Sequence, residues 1–135
     1  MSKLSQLGII ILFMVIMFSC SDKEELIGKW DDNIKLSTKA VGFDAGKDSV
    51  VITTKGEGWW INSVNEGDSC YMGAIDQHLI DGTYTITKDF FTIERRTSKS
   101  LFVKFDQNNS GYQRGISITL QSGNYFDYVD ITQNK

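Results

Sequence analysis

Residues 114–133 of this chain read RGISITLQSGNYFDYVDITQ, and this stretch decides the fold class. Aliphatic side chains recur at every second position before and after the central Ser122-Gly123-Asn124. Because successive side chains of a β-strand point to opposite faces, this alternation predicts two strands that are each buried on one face. Glycine beside asparagine is typical of the tight turn between such strands. We therefore predict a β-hairpin with strands at 115–121 and 125–132.

The same pattern continues toward the N-terminus. Short segments rich in Val, Ile, Thr, Tyr and Phe alternate with Gly, Asn, Asp and Ser, and the sequence has no long amphipathic helical pattern. Together with the hairpin they predict an all-β sandwich of about seven to nine strands. The polar stretch between 64 and 88 is predicted to hold a long loop or an inserted hairpin. The further predicted strands are 34–38, 49–54, 58–63, 70–75, 83–87, 90–95 and 100–105.

Alternation also predicts which aromatic side chains face outward. With the aliphatic positions assigned to the core, Trp60, Asn62, Phe126 and Tyr128 fall on outer faces. Flat aromatic rings complement the apolar C–H faces of sugars, and an amide can exchange hydrogen bonds with sugar hydroxyls. These four residues are our candidate glycan-binding set. The alternative for Trp60 is that it lies half-buried against the 64–88 stretch, since large aromatic side chains usually fill cores.

The first twenty residues form a separate segment. Lys3 precedes an apolar run at 7–18, which ends just before Cys20. The run is shorter than the roughly 20 apolar residues that span a bilayer. It resembles a bacterial lipoprotein signal, which predicts a signal peptide at 1–19, a lipidated Cys20 with a tether at 20–33, and a domain at 34–135. The alternative is a short anchor or an uncleaved hydrophobic N-terminus.

An acidic cluster follows the predicted lipid attachment site. Residues 22–25 read DKEE, which resembles the lipoprotein export signal of Bacteroidetes-type bacteria. That resemblance implies an outer-membrane protein that faces the cell exterior and contacts the membrane through the lipid on Cys20. The alternative is that the cluster is only a solvated tether.

Composition and motifs argue against several function classes. The formal net charge is -3 and no basic patch is present, so nucleic acid is not an expected partner. Cys70 and the single histidine, His78, have no accompanying metal-ligand spacing or nucleophile motif. We therefore predict no catalytic residue, no metal site, no cofactor and no enzymatic activity. Cys70 is predicted to be a partly buried structural thiol.

From about residue 34 to 133, the order of these motifs resembles the BACON domain, a small immunoglobulin-like β-sandwich of gut Bacteroidetes proteins. This resemblance implies an immunoglobulin-like sandwich that binds carbohydrate or mucin glycan and has no catalytic residues. The matching residues are Leu36-Ser37, Val41, Phe43, Val50-Val51-Ile52, Trp59-Trp60-Ile61, Leu101-Phe102-Val103, Asn108-Asn109, Arg114, Ile116-Ser117-Ile118 and Val129-Asp130-Ile131-Thr132-Gln133.

The expected function is thus a non-catalytic, lipid-anchored cell-surface module that binds a carbohydrate or mucin glycan. A second hypothesis is a structural or spacer subunit that contacts another surface lipoprotein. A third follows from Leu26-Ile27-Gly28-Lys29-Trp30, which resembles the start of lipocalin-like lipoproteins and implies a barrel around a ligand cavity. Finally, Asp48-Ser49-Val50 resembles the Bacteroidetes O-glycosylation motif, which makes Ser49 a candidate modification site.

Overall fold

The computed structural model describes residues 31–72 and 82–135, which form nine strands in two sheets. The predicted all-β sandwich of about seven to nine strands is confirmed. The strands are β1 (Ala40–Phe43), β2 (Asp48–Thr53), β3 (Trp60–Glu66), β4 (Ser69–Met72), β5 (Tyr84–Thr87), β6 (Phe91–Thr97), β7 (Ser100–Phe105), β8 (Arg114–Ser122) and β9 (Tyr125–Gln133).

The order of the strands is that of an immunoglobulin-like sandwich. One sheet has the order β1-β9-β8-β3-β4 and the other β2-β7-β6-β5. In an immunoglobulin domain the third, sixth and seventh strands share one sheet, and the second, fifth and fourth share the other. Here β3, β8 and β9 correspond to the third, sixth and seventh immunoglobulin strands. The strands β2, β7 and β6 correspond to the second, fifth and fourth. The described residues form two sheets that share no strand, so the lipocalin-like barrel alternative is wrong.

One strand pair is parallel. β1 runs beside β9 in the same direction, from Ala40 opposite Asp130 to Phe43 opposite Gln133. All other neighbouring strands in the described sheets are antiparallel. The segment that leads into β1 and the end of β9 therefore lie at opposite ends of this strand pair.

The core lies between the two sheets and contains the side chains that alternation assigned to it. Leu101, Val103 and Phe105 of β7 are fully buried, as are Ile118 and Leu120 of β8. Their burial removes apolar surface from water, the main force that holds the two layers together. At one end of the core four phenylalanines pack edge to face, with ring centroids 5.2–5.3 Å apart for three of the contacts. These rings are Phe43, Phe90, Phe91 and Phe105.

The first predicted strand is wrong. Residues 34–38 form no strand, and Leu36 makes only an isolated bridge to Thr54. The carboxylate of Asp32 accepts the backbone N–H groups of Ile34 and Lys35, at 3.1 and 2.7 Å, and so holds the chain in a local turn. Lys35 has a φ of 55°, which a regular strand cannot contain. The first strand instead begins at Ala40.

The stretch predicted to be a loop or inserted hairpin contains a hairpin. β3 continues to Glu66 and pairs with β4 across a turn in which Gly67 has a φ of 52°. The prediction of a strand at 70–75 matches β4 as far as Met72. Its remainder lies outside the described residues, as do the signal peptide, Cys20, the tether up to residue 30 and the motif at 26–30. Within residues 31–72 and 82–135, no helix is long and apolar enough to cross a membrane.

Gln133 joins several segments at the far end of the sandwich. Its side chain is fully buried, and its amide nitrogen donates to the carbonyl oxygens of Gly46 and Asp106 at 2.9 and 3.0 Å. Its amide oxygen accepts from Nε of Arg114 at 2.9 Å. Asn108 acts similarly nearby, since its amide donates to backbone oxygens at 2.6 and 2.8 Å. Polar residues that carry the BACON resemblance therefore stabilise loops here and are not available to a ligand.

Candidate functional site

The four predicted glycan-binding residues lie on one surface, the outer face of the five-stranded sheet. Antiparallel register places Trp60 opposite Gln121 and Gln121 opposite Phe126, so these three side chains form a row across β3, β8 and β9. Directly opposed residues point to the same face of a sheet. We call this surface the platform; its residues are Trp60, Asn62, Asn65, Ser117, Thr119, Gln121, Phe126, Tyr128 and Asp130.

A β-bulge in β3 keeps the polar and aromatic members of the platform on the same side. The register shifts between Ile61 and Ser63, so Asn62 is an extra residue in its strand. Without it, every later side chain of β3 would change faces. Beside the bulge, the N–H of Ile61 donates to the hydroxyl of Tyr84, in the opposite sheet, at 3.1 Å.

The amide of Asn62 points along the platform. Its Nδ2 donates to Oε1 of Gln121 at 2.9 Å, and Nε2 of Gln121 donates to the carbonyl oxygen of Gly123 at 2.8 Å. This chain fixes both amide groups between the aromatic rings of the row. The Oδ1 oxygen of Asn62 is not part of this chain of bonds, and an amide oxygen can accept a hydrogen bond from a ligand.

The aromatic rings of the platform differ in exposure. Phe126 and Tyr128 are 52% and 57% exposed, whereas Trp60 is partly buried. Trp60 and Phe126 flank β8, so their backbones lie about 10 Å apart, and Phe126 and Tyr128 are separated by about 7 Å along β9. The platform is thus an open surface with three rings around a polar centre.

Side chains beneath the platform hold it in place. Trp59, next to Trp60, is fully buried, and its Nε1 donates to Oγ1 of Thr54 at 2.8 Å. The guanidinium of the buried Arg95 lies 4.5 Å from the centre of the Trp59 ring, a cation–π distance. Tyr84 packs at the same place, and burial raises the pKa of its hydroxyl above 10.0. These contacts make the inward half of this region rigid.

A second support lies under β9. Asp127, between the two exposed rings, is buried, and its carboxylate accepts from Nζ of Lys39 at 2.9 Å and from the N–H of Tyr128. The hydrogen bond to Asp127 raises the pKa of Lys39 above 10.5. This contact attaches the segment before β1 to the start of β9, where both exposed rings are located. The sequence did not predict this ion pair, because an aspartate at an inward-facing position interrupts the alternation of apolar and polar residues along the strand.

The remaining predicted residues lie away from the platform or outside the residues that the structure describes. Ser49 is exposed at the start of β2, and its N–H donates to the carboxylate of Asp48 at 2.8 Å. Cys70 is exposed, so the prediction of a partly buried thiol is wrong; β4 is an edge strand, and no further strand of the described sheet covers it. Cys20 and His78 lie outside the described residues. In the part of the chain that the structure describes, no three potential metal ligands of the His, Cys, Asp and Glu types come together.

Two hollows on the described surface contain none of the predicted site residues. One, of about 290 Å³, lies beside β5 and β6 and is lined by Thr83, Tyr84, Thr85, Glu94, Arg95 and Arg96. The other, of about 340 Å³, lies beside the segment before β1 and includes Asp32, Leu36 and Thr54. Hydrogen bonds from the backbone of Lys35 and Ile34 lower the pKa of Asp32 below 3.8, so that carboxylate is already used by the turn that it stabilises.

Gln121 and Asp130 belong to the platform but were missed by the sequence prediction. Both occupy outward positions of their alternating strands, and that signal was present in the sequence. Which residues lie next to them across the sheet depends on the register of strand pairing. The register brings together residues far apart in the chain, so the sequence pattern of one strand does not show it. Gln121 is the clearest case, since it lies between Trp60 and Phe126 and binds Asn62.

No protein-family model matches the chain, and no curated protein matches it. Among solved structures, it is similar to one described as the NMR structure of the protein from Bacteroides thetaiotaomicron, with 18% identity and a TM-score of 0.59, covering 76% of this chain and 87% of that one. Likeness at this identity shows the fold alone.

The chain also matches parts of two larger proteins at lower TM-scores. One is a Bacteroides ovatus GH5 xyloglucanase in complex with a heptasaccharide, at 13% identity and a TM-score of 0.44, covering 75% of this chain. The other is an endo-fucoidan hydrolase of glycoside hydrolase family 107, at 10% identity and a TM-score of 0.47, covering 77% of this chain. The matches span only 18% and 14% of those two chains. This protein is therefore a two-sheet β-sandwich similar in fold to the Bacteroides thetaiotaomicron protein.

Proposed function

We propose that this chain is a non-catalytic, lipid-anchored cell-surface module of the BACON type that binds a carbohydrate or mucin glycan on the platform. The observation that carries the proposal is the juxtaposition of Trp60, Asn62, Phe126 and Tyr128 on one open face. Two of these rings are more than half exposed and are neighbours on the same face of β9, and contiguous exposed apolar surface marks interaction sites.

The chemistry of the platform suits sugar rings. Each aromatic ring offers a flat apolar surface for a sugar C–H face, while the amides of Asn62 and Gln121 lie between the rings at hydroxyl-binding positions. A flat platform binds the side of a chain and needs no deep pocket. This arrangement provides recognition without the paired carboxylates that glycoside hydrolysis requires across a cleft.

The proposal is tested by affinity electrophoresis of the 21–135 fragment, which contains every described residue, in gels that contain mucin or plant polysaccharides. We expect retardation by at least one glycan, and about tenfold weaker binding for Phe126→Ala and for Tyr128→Ala, from about 1.4 kcal/mol per stacked ring. Tyr112→Ala is the matched control, because Tyr112 is 78% exposed in the loop between β7 and β8, away from the platform. Absence of retardation, or equal losses in all three variants, would rule out this site.

Lipid attachment and location are tested separately. We expect palmitate labelling of the full chain in its bacterial host, and loss of the label in Cys20→Ser. Proteinase digestion of intact cells should remove the domain if it faces the exterior. Labelling that survives the Cys20→Ser change would contradict the proposed attachment site.

The second candidate function is a structural or spacer subunit, and one observation favours it. β2 is an edge strand of the four-stranded sheet and carries Val51, which is 54% exposed. An edge strand with an exposed aliphatic side chain can pair with a partner protein. Crosslinking of intact cells distinguishes the two functions: a crosslinked surface lipoprotein that disappears in Val51→Lys supports the spacer, and recovery of the chain alone opposes it.

Ser49 is proposed as an O-glycosylation site because it is exposed and follows Asp48 in the resembling motif. The intact mass of the chain purified from its host should exceed the mass of the lipidated polypeptide by that of a glycan. Ser49→Ala should remove the difference. An unchanged mass in the variant would place any glycan elsewhere.

A further inference from the structure

The platform has an unusual charge distribution. Of its nine residues only Asp130 is charged, and it lies two residues after Tyr128 on β9. The lysine nearest to it in the register, Lys39, directs its ammonium group to the buried Asp127. Ala40 and Gly42 of β1 flank the platform on one side, and Cys70 of β4 flanks it on the other. The platform is therefore negative, with no cation among its described residues.

The hydrogen-bonding groups of the platform include donors and acceptors, but its single charged group is an acceptor. One Nδ2 hydrogen of Asn62 is bonded to Gln121, and one Nε2 hydrogen of Gln121 is bonded to Gly123, which leaves each amide a second N–H. The ionised carboxylate of Asp130 can only accept. A ligand group that contacts Asp130 must therefore supply a hydrogen-bond donor.

Sugar hydroxyls supply such donors, whereas the ionised carboxylates of uronates and sialates and the sulfate ester do not. These acidic groups are acceptors only, and proteins hold them with arginine, lysine or clustered backbone N–H groups. On the platform an acidic group would lose hydration, find no cation among the nine platform residues and be repelled by Asp130.

From this complementarity, and resting on the function proposed above, we propose that the platform selects neutral, hydroxyl-rich glycans and rejects acidic ones, with Asp130 as the specificity-determining residue. Stacking on Trp60, Phe126 and Tyr128 would supply affinity that does not depend on charge. Asp130 would accept from a hydroxyl of the sugar stacked on Tyr128, since the two side chains are separated by about 7 Å along the strand.

The test measures binding of the full chain, in mild detergent, to two pairs of probes that share a backbone and differ in charge. The first pair is mucin before and after removal of sialic acid and sulfate. The second is polygalacturonate before and after methyl esterification. We expect the neutral form of at least one pair to bind at least about tenfold more tightly than its acidic form at low salt, and a smaller difference at high salt, because exposed charges are screened.

Variants of Asp130 separate its charge from general effects. Asp130→Asn should reduce the preference for the neutral form, and Asp130→Lys should reverse it, whereas Asp48→Lys makes the same change of net charge on the other sheet and should leave it unchanged. If the chain binds both forms of each probe equally, or binds the acidic form more tightly, the proposed specificity is wrong while the glycan-binding function stands. If neither form of either probe is bound, the proposed specificity fails, and the glycan-binding function fails with it when no polysaccharide retards the protein in the affinity gels.

Discussion

Replacement of Gln133 by alanine tests whether a single buried amide holds one end of the sandwich together. The side chain donates to two loop carbonyls, on Gly46 and Asp106, and accepts from Arg114. These groups belong to the turn after β1, the loop after β7 and the start of β8. Alanine would remove these three hydrogen bonds, together with a longer one to the carbonyl oxygen of Ala45 at 3.4 Å, and leave a cavity in a position with no solvent exposure.

The magnitude follows from those bonds. Two neutral hydrogen bonds contribute about 1 kcal/mol each and the bond from the charged guanidinium about 1.5 kcal/mol, so the variant should lose about 3.5 kcal/mol of unfolding free energy. For a domain of this size, a change of about 3.5 kcal/mol lowers Tm by about 14 °C or more. Water that enters the opened site can hydrogen-bond the carbonyl oxygens that lose their partner, so no further penalty for unsatisfied carbonyl groups is added to this loss of unfolding free energy.

The assay is urea unfolding followed by tryptophan fluorescence, with thermal melting as a second measurement. Gln113→Ala is the control, because Gln113 is exposed in the neighbouring loop and its replacement should change stability by less than about 0.5 kcal/mol. Gln133→Glu adds a second comparison: one carboxylate oxygen would face carbonyl oxygens, so it should destabilise the fold at pH 7 despite its nearly identical shape. A loss below about 1 kcal/mol for Gln133→Ala would refute the reasoning.

Further expectations concern stability. Gly115→Ala should cost about 2 kcal/mol in urea unfolding, since a Cβ there would overlap a carbonyl oxygen of β9, whereas Gly46→Ala, with open space around it, should be nearly neutral. Trp59→Phe should lose about 2 kcal/mol, because a buried hydrogen bond and packing volume disappear; a thermal melt unchanged from wild type would contradict this. Because the pKa of Lys39 is raised, its contribution to stability is full below pH 10.5 and is lost as the pH rises through the folded-state pKa; Lys39→Met should flatten this alkaline decline in the unfolding free energy. The lowered pKa of Asp32 has the opposite sign: its contribution is present above pH 3.8 and is lost in more acidic solution, so Asp32→Asn should flatten the acid limb.

The sequence was sufficient to predict the strands whose burial repeats every second residue. β7, β8 and β9 have this pattern throughout, and their predicted and observed limits agree within a few residues. The strand prediction failed before β1. The segment around Leu36 has the apolar residues of a strand, but the backbone N–H groups of its first residues donate to the carboxylate of Asp32. Side-chain competition for backbone N–H groups is not visible in a hydrophobic pattern.

The candidate site was predictable in its outward residues and not in its arrangement. Alternation placed Phe126 and Tyr128 outward, and both are exposed. The row that joins Trp60 to Phe126 through Gln121 depends on the pairing of three strands and on one bulge, which no local pattern specifies. The role of Gln133 was equally hidden, because its partners are backbone carbonyls that only the folded chain brings together.

The parallel pairing of β1 with β9 determines how the domain responds to mechanical force. A pull applied at residue 39 and at residue 134 draws the two strands in opposite directions along their common axis. The hydrogen bonds between them, together with those from Asp130 to Lys39 and from Asn134 to Phe43, would then bear the load simultaneously in shear instead of opening one at a time. A sandwich arranged this way resists extension between those two points more strongly than it resists peeling of either strand from one end.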